Sequence, residues 1–177
     1  MAIRTRVVSE ASRGEAEKLV EFLLDDFLKE MQPTGRIDVV QSLATRAIDY
    51  YEKLPIEARS NVTQRNSADA KLIYASVLRE TGKLAEAKKL ADEAGATIKA
   101  LRAAGDNFDE TVITQVRHLG LVARLLQSRN DWPASIPLGN QAMELLNPVL
   151  AKSNTPRRAR EMQAGSYALL ADAYRET

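Results

Sequence analysis

The chain has 177 residues, of which 45% are hydrophobic and 28% charged, and its formal net charge at pH 7 is +1. This balance gives no global attraction to nucleic acid or anionic lipid, and no apolar run approaches the roughly 20 residues of a membrane span. The absence of cysteine excludes disulfides, thiolate metal sites and a thiol nucleophile, and it fits a cytoplasmic chain or the cytoplasmic part of a membrane-anchored protein.

Apolar residues follow helical spacing along almost the whole chain, and no period-two pattern of a β-strand is found. The first amphipathic stretch covers residues 15–31 and ends at Gln32-Pro33-Thr34-Gly35, where proline and glycine stop a helix. The later predicted helices cover about 36–54, 67–81, 84–104, 111–128, 133–152 and 157–177. The predicted fold class is therefore all-α.

A repeat becomes visible when residues are counted from Gly82. We call such a reference residue a zero, and the pattern of residue types at fixed distances from it the ruler. Small residues lie seven before, five after and twelve after this zero, and large apolar residues lie four before and two after it. Asn130 reproduces the pattern, and Gly35 does so less completely; the three zeros are 47 and 48 residues apart (82 − 35 and 130 − 82). The positions are Leu28, Met31, Ile37, Val40 and Ala47 for the first zero, Ala75, Leu78, Leu84, Ala87 and Ala94 for the second, and Ala123, Leu126, Trp132, Ser135 and Ala142 for the third.

Each position has a physical reason in a helical hairpin. Gly or Asn at the zero tolerates a left-handed backbone in a tight turn, and the small residues let neighbouring helices approach closely. A fourth zero would fall at 178, directly after Thr177, with Ala171 and Tyr174 at its preceding positions. We therefore expect the last helix to be the first helix of a fourth hairpin.

The second and third units resemble tetratricopeptide (TPR) repeats. The resemblance rests on Tyr74-Ala75-x-x-Leu78 before Gly82, and on Val122-Ala123-x-x-Leu126 before Asn130. The usual TPR period is ~34 residues, so these units are longer. The resemblance implies one domain, 1–177, built as a right-handed α-solenoid. Its parts would be hairpin one at about 3–56, hairpin two at 66–105, hairpin three at 111–153, and 157–177 as the first helix of a truncated fourth hairpin or a cap.

Residues 22–55 are also similar to the start of TPR regions in bacterial multidomain signalling proteins, which are fused to a kinase or nucleotide cyclase. This similarity implies a fragment of a longer protein, whose last helix would leave an apolar face uncovered. We expect homodimerisation through that open face, at Leu169, Leu170 and Tyr174. The alternative is a chain that ends in a natural capping helix.

No arrangement of residues predicts catalysis, a metal site or a cofactor. His118 is the only histidine, and neither a second histidine nor a cysteine is available to complete a metal site or a nucleophile–base pair. The adjacent acids Asp92-Glu93 and Asp109-Glu110 are typical of solvated helix faces and helix starts. Arg157-Arg158-x-Arg160 is interpreted as a solvated helix start, because no aromatic residue accompanies it. We expect no enzyme and no nucleic-acid contact.

In TPR arrays the first helices of successive hairpins line a concave groove. An arginine-bearing groove suits an acidic peptide, because guanidinium pairs with carboxylate in a bidentate manner, although arginines can also serve only to keep the face soluble. The Lys/Asn clamp of the chaperone-tail-binding members is not reproduced, since Asp25 and Lys29 stand at those positions. The predicted groove residues are Leu72, Ser76, Arg79, Arg117, Arg124, Gln127, Asp172 and Arg175.

The resulting functional hypothesis is a non-catalytic protein–protein interaction module that binds a peptide or protein segment in its groove. The resemblance places it within a larger bacterial signalling protein. The alternative is a structural spacer or self-association domain that packs against other domains of the same protein.

Overall fold

The computed structural model describes residues 37–177, together with Gly14, and this part of the chain is all-α. The helices are α1 (Ile37–Lys53), α2 (Asn61–Glu80), α3 (Leu84–Ala103), α4 (Asp109–Gln127), α5 (Trp132–Leu150) and α6 (Arg157–Glu176), with a short 3-10 turn at Ile56–Ala58. None of these helices has the length and hydropathy that crossing a bilayer requires. The predicted helix 15–31, the zero at Gly35 and the residues Asp25 and Lys29 lie outside the described residues.

Consecutive helices pack against each other, and helices α2, α4 and α6 also contact one another in series. We call α2, α4 and α6 the A helices, because they are the first helices of the predicted hairpins, and α1, α3 and α5 the B helices. The B helices make no comparable contacts among themselves within residues 37–177. This order of packing is that of a helical-repeat solenoid, and it confirms the predicted fold class.

The two turns that the ruler identified have the predicted backbone. Gly82 has φ 78° and Asn130 has φ 60°, both in the left-handed region. At each turn the residue after the zero donates its backbone N–H to the carbonyl of the residue four positions before the zero. Lys83 donates to Leu78 at 2.8 Å, and Asp131 donates to Leu126 at 3.0 Å. The bond requires positive φ at the zero, which explains why glycine or asparagine occupies it.

The small residues of the ruler are buried in both units. Their exposed fractions are 0% or 1% at Ala75, Ala87, Ala94, Ala123, Ser135 and Ala142. Because a larger side chain at any of these positions would separate the helices, close helix approach is the physical reason for the pattern.

Helix α2 begins at Asn61, six residues before the predicted start at about 67 and before the predicted start of hairpin two at 66. Ser60 caps the helix, since its Oγ accepts a hydrogen bond from the backbone N–H of Thr63 at 3.1 Å. Thr63 and Asn66 are buried. The prediction was wrong because polar residues that are buried by other helices carry no amphipathic signal.

The expectation that Leu169 and Leu170 lie on an uncovered face is also wrong. Leu169 is 2% exposed and Leu170 is 8% exposed, and both pack with Ala123 in one apolar cluster. Helix α5 packs closely against α6 at this cluster. A Cβ added at Gly139 of α5 would lie only 2.6 Å from Cδ2 of Leu170. The two leucines therefore pack α6 against the preceding hairpin. Tyr174, the third residue predicted to mediate self-association, is 59% exposed.

Candidate functional site

The A helices bring charged side chains together at two places. In the N-terminal halves of these helices, Oδ2 of Asp69 in α2 forms ion pairs with Arg117 of α4 and Arg158 of α6, each at 2.7 Å. Arg158 also pairs with Glu110 of α4 at 3.2 Å. We call these four residues the Asp69 cluster. It links all three A helices through one carboxylate.

Burial decides the chemistry of the Asp69 cluster. The side chains of Asp69, Arg117 and Arg158 are 9%, 16% and 15% exposed. Burial alone would raise the pKa of the Asp69 carboxyl, but the charges of Arg117 and Arg158 outweigh it and hold the pKa below its ordinary value. Asp69 is therefore a permanent anion at neutral pH. The charge of Arg117, a predicted groove residue, is therefore compensated by this internal ion pair.

The second place lies about two to three helical turns further along the A helices, at Arg79 of α2 and Arg124 of α4, which we call the Arg79–Arg124 site. Arg79 is 23% exposed; its Nη2 lies 3.3 Å from the carboxylate of Glu80, and its Nε has no hydrogen-bond partner among the described residues. Arg124 is partly buried and reaches the carbonyl of Gly165 in α6 at 3.5 Å. No ion pair joins Arg124 to a described residue.

Burial and the neighbouring charge of Arg79 lower the pKa of Arg124. Asp172 and Glu80 act in the opposite direction and offset part of this effect. A guanidinium group is still fully charged at neutral pH, because its ordinary pKa is far above 7. The site therefore holds two partly buried cations whose mutual repulsion an added carboxylate would relieve.

The remaining predicted groove residues differ in what they contact. Leu72 is fully buried and lines no surface, because it belongs to the apolar core among α2, α3 and α4. The Oγ of Ser76 donates to the carbonyl of Leu72. Gln127 donates from Nε2 to Oγ of Ser135 and to the carbonyl of Leu169, both at 3.1 Å, so it ties α4 to α5 and α6.

Asp172 and Arg175 are exposed partners on α6, with 3.1 Å between Oδ1 and Nη2. Asp172 also contributes to the electrostatic surroundings of Arg124. Of the eight predicted groove residues, the structure thus brings Arg79, Arg124 and Asp172 near one another.

Sequence reasoning missed Asp69 and assigned Arg158 to a solvated helix start. The one available signal was the position of Asp69 among small and apolar residues, between Ala68 and Ala70 and three residues before Leu72. A carboxylate on the buried side of a helix requires a cation from another helix. The sequence contains many arginines, and it does not show which of them forms an ion pair with Asp69.

His118 lies on the other side of α4, against Gly95 of α3, in a pocket of ≈ 430 Å³ that Asp92 and Gln115 also line. Burial lowers the pKa of His118, and Asp92 together with a hydrogen bond to the backbone of Ala91 offsets this only in part. His118 is partly exposed, and its ring packs on Gly95.

A protein-family model described as the Sec16 Sec23-binding domain, a TPR-like helical domain, matches residues 11–153. The match covers α1 to α5 and ends before α6. Comparison with curated proteins and with solved structures gives no match. The family is a protein-binding helical family and not a known enzyme family. Because the match extends over most of the chain and agrees with the repeat architecture, the chain belongs to the family of Sec16 Sec23-binding domains.

Proposed function

We propose that this chain is a protein-interaction module that binds an acidic segment of a partner protein at the Arg79–Arg124 site. The observation that carries the proposal is the pair of partly buried arginines, of which Arg124 has no ion pair with a described residue. Glu80 and Asp172 offset part of the repulsion between these two charges, but neither forms an ion pair with Arg124. A carboxylate from outside would supply the missing charge.

The Asp69 cluster gives an internal comparison. There one carboxylate compensates two arginines from different A helices, at 2.7 Å each. The Arg79–Arg124 site also holds two arginines from different A helices, α2 and α4; Glu80 pairs with Arg79 alone, and no carboxylate of residues 37–177 forms an ion pair with Arg124. We infer that an Asp, a Glu or a C-terminal carboxylate of the partner takes the place that Asp69 occupies in the cluster.

The family description names Sec23 as the protein that its members bind, and from it we take only the class of partner, a protein. The predicted place within a bacterial kinase- or cyclase-fused signalling protein stays a prediction, since the family match does not support it. The hypothesis of a spacer that contacts neighbouring domains differs in one respect: it requires no anion at the Arg79–Arg124 site.

The test is fluorescence anisotropy with a labelled octapeptide of alternating Glu and Ala, and with its counterpart in which Gln replaces each Glu. We expect the Glu peptide to bind and its affinity to fall as salt rises, because charge attraction carries the contact. Arg124→Gln is expected to weaken binding about tenfold, which corresponds to about 1.4 kcal/mol. Arg129→Gln, which removes an exposed arginine from the turn after α4, is the matched control and should change affinity less than twofold. Equal binding of the two peptides, or equal effects of the two variants, would refute the proposal and leave the spacer hypothesis.

A further inference from the structure

Residues at the same ruler position on adjacent A helices come within ion-pair distance of each other. Asp69 of α2 and Arg117 of α4, both thirteen positions before their zeros (82 − 69 and 130 − 117), pair at 2.7 Å. Glu110 of α4 and Arg158 of α6, both twenty positions before theirs (130 − 110 and 178 − 158), pair at 3.2 Å. Stacking of the repeats therefore places a charged residue of one A helix within reach of its counterpart on the next.

A shared ruler position permits an ion pair but does not impose it. Asp109 of α4 and Arg157 of α6 also share a position. Asp109 pairs instead with Lys152 at 2.6 Å, and Arg157 pairs with Glu161 at 3.2 Å. Near the surface one such pair contributes little, because water solvates both groups, so the partner of a charged side chain is easily exchanged.

Arg124 of α4 and Asp172 of α6 are a further pair of opposite charges at one ruler position, six before the zero (130 − 124 and 178 − 172). No ion pair joins these two described residues. Arg124 reaches the carbonyl of Gly165 at 3.5 Å, and Oδ1 of Asp172 lies 3.1 Å from Nη2 of Arg175 on its own helix. Arg124 thus has a carboxylate within reach that a neighbouring arginine holds.

The ion pair between Asp172 and Arg175 is an exposed one. The two side chains are 50% and 71% exposed, so the pair is weak. Arg175 has a second partner, since its Nε lies 3.5 Å from the carboxylate of Glu176. Asp172 can therefore leave Arg175 without removing its only compensation, and at Arg124 it would meet a cation that is partly buried.

We propose that Asp172 is an internal competitor of the acidic partner segment. Its carboxylate exchanges between Arg175 and Arg124, and the partner segment binds Arg124 while Arg175 holds Asp172. Arg175 is a positioning residue in this exchange, because it acts on the Arg79–Arg124 site through Asp172. The inference rests on the function proposed for that site and adds its regulation: a partner must supply enough negative charge to displace a carboxylate of the chain itself.

The first test measures binding of the labelled Glu–Ala octapeptide by anisotropy. Asp172→Asn is expected to bind about threefold to fivefold more tightly than the wild type, the upper range for one exposed ion pair. Glu176→Gln is the matched control, because it removes the same charge, 47% exposed, from the same arginine. It should change affinity less than twofold, since the same ruler position on α4 holds the uncharged Ser128.

The second test asks whether Arg175 acts through Asp172. Arg175→Gln is expected to weaken peptide binding about twofold to threefold in the wild type, because Asp172 then pairs with Arg124. In the Asp172→Asn background the same substitution should have no measurable effect at physiological salt. Equal weakening in both backgrounds would show that Arg175 attracts the peptide directly, and it would overturn the proposal.

A third readout needs no peptide: the Nε–H resonance of Arg124 in proton–nitrogen NMR. Arg175→Gln should shift this resonance, and adding Asp172→Asn should return it; an unshifted resonance would overturn the exchange. If the peptide binds neither the wild type nor Asp172→Asn, the proposed function is refuted and the resonance alone decides the exchange. If Arg124→Gln weakens binding but Asp172→Asn binds no more tightly than Glu176→Gln, the proposed function stands and this inference fails.

Discussion

Asp69 provides the sharpest test of the packing described above, through the variant Asp69→Ala. The carboxylate is nearly buried and is shared by Arg117 and Arg158 at 2.7 Å each. Removing one partner of a buried ion pair typically costs about 3–5 kcal/mol, because the remaining charge stays desolvated. Since Arg158 keeps its contact with Glu110, we expect the lower end, about 3 kcal/mol.

The assay is thermal and urea unfolding followed by circular dichroism. For a chain of this size a loss of 1 kcal/mol lowers Tm by about 2–4 °C, so Asp69→Ala should lower Tm by about 6–12 °C. Asp49→Ala is the matched control. Asp49 is 69% exposed and lies 3.7 Å from Lys53, so its removal should cost at most about 1 kcal/mol.

The stabilisation by Asp69 should also depend on pH. The surrounding arginines lower the folded-state pKa of Asp69 below the ordinary value of 3.8, so the folded chain holds the proton less tightly than the unfolded chain does. The contribution of Asp69 is therefore complete above pH 3.8 and is lost as pH falls below it, through the folded-state pKa. The difference in unfolding free energy between the wild type and Asp69→Ala should be constant from pH 5 to 7 and shrink in more acidic solution. Equal costs for Asp69→Ala and Asp49→Ala would refute the reasoning.

Three further predictions concern helix packing, a turn and the histidine. Gly139→Ala should destabilise the fold by about 1–3 kcal/mol in urea unfolding, since the new Cβ would meet Leu170 at 2.6 Å, whereas Gly120→Ala, with no atom within 4 Å, should be neutral or stabilising by up to about 1 kcal/mol. Gly82→Ala should cost about 1–2 kcal/mol in the same assay, because φ is 78° there; an unchanged midpoint would contradict the left-handed turn. His118 should titrate in NMR below its ordinary pKa of 6.5, because burial disfavours its charged form, and the stability it contributes should therefore be complete above pH 6.5 and decline in more acidic solution. A titration at or above 6.5 would contradict burial as the dominant influence on the ring.

The sequence was informative wherever a requirement was local. Gly82 and Asn130 mark turns that need positive φ, and both turns have it. Alternation of small and large residues at helical spacing identified the buried alanines and with them the repeat. Such features depend on the backbone of one segment and on the volume available beside it, so they leave a pattern that repeats along the chain.

The candidate site was only partly predictable. Arg79 and Arg124 were found from the sequence, because their position on the first helix of each unit follows from the register. That Arg117 is engaged by Asp69 was not predictable, since the two residues lie on different helices and ion-pair choice depends on distances of a few ångströms. The same limit applies to α6, whose leucines were assigned to the uncovered side.

Within residues 37–177 the sequence by itself thus determined the helices, apart from the start of α2, and the turns at Gly82 and Asn130. Only the tertiary structure decided which arginines are compensated and which side of α6 is buried. The physical reason is that turn geometry and helix periodicity are properties of one segment of chain, whereas burial and charge compensation depend on what neighbouring helices place against it. Helix α6 illustrates the difference: the register places Ala171 where Ala75 and Ala123 are buried, but only packing shows that Leu169 and Leu170 are the covered residues and that Ala171 is exposed.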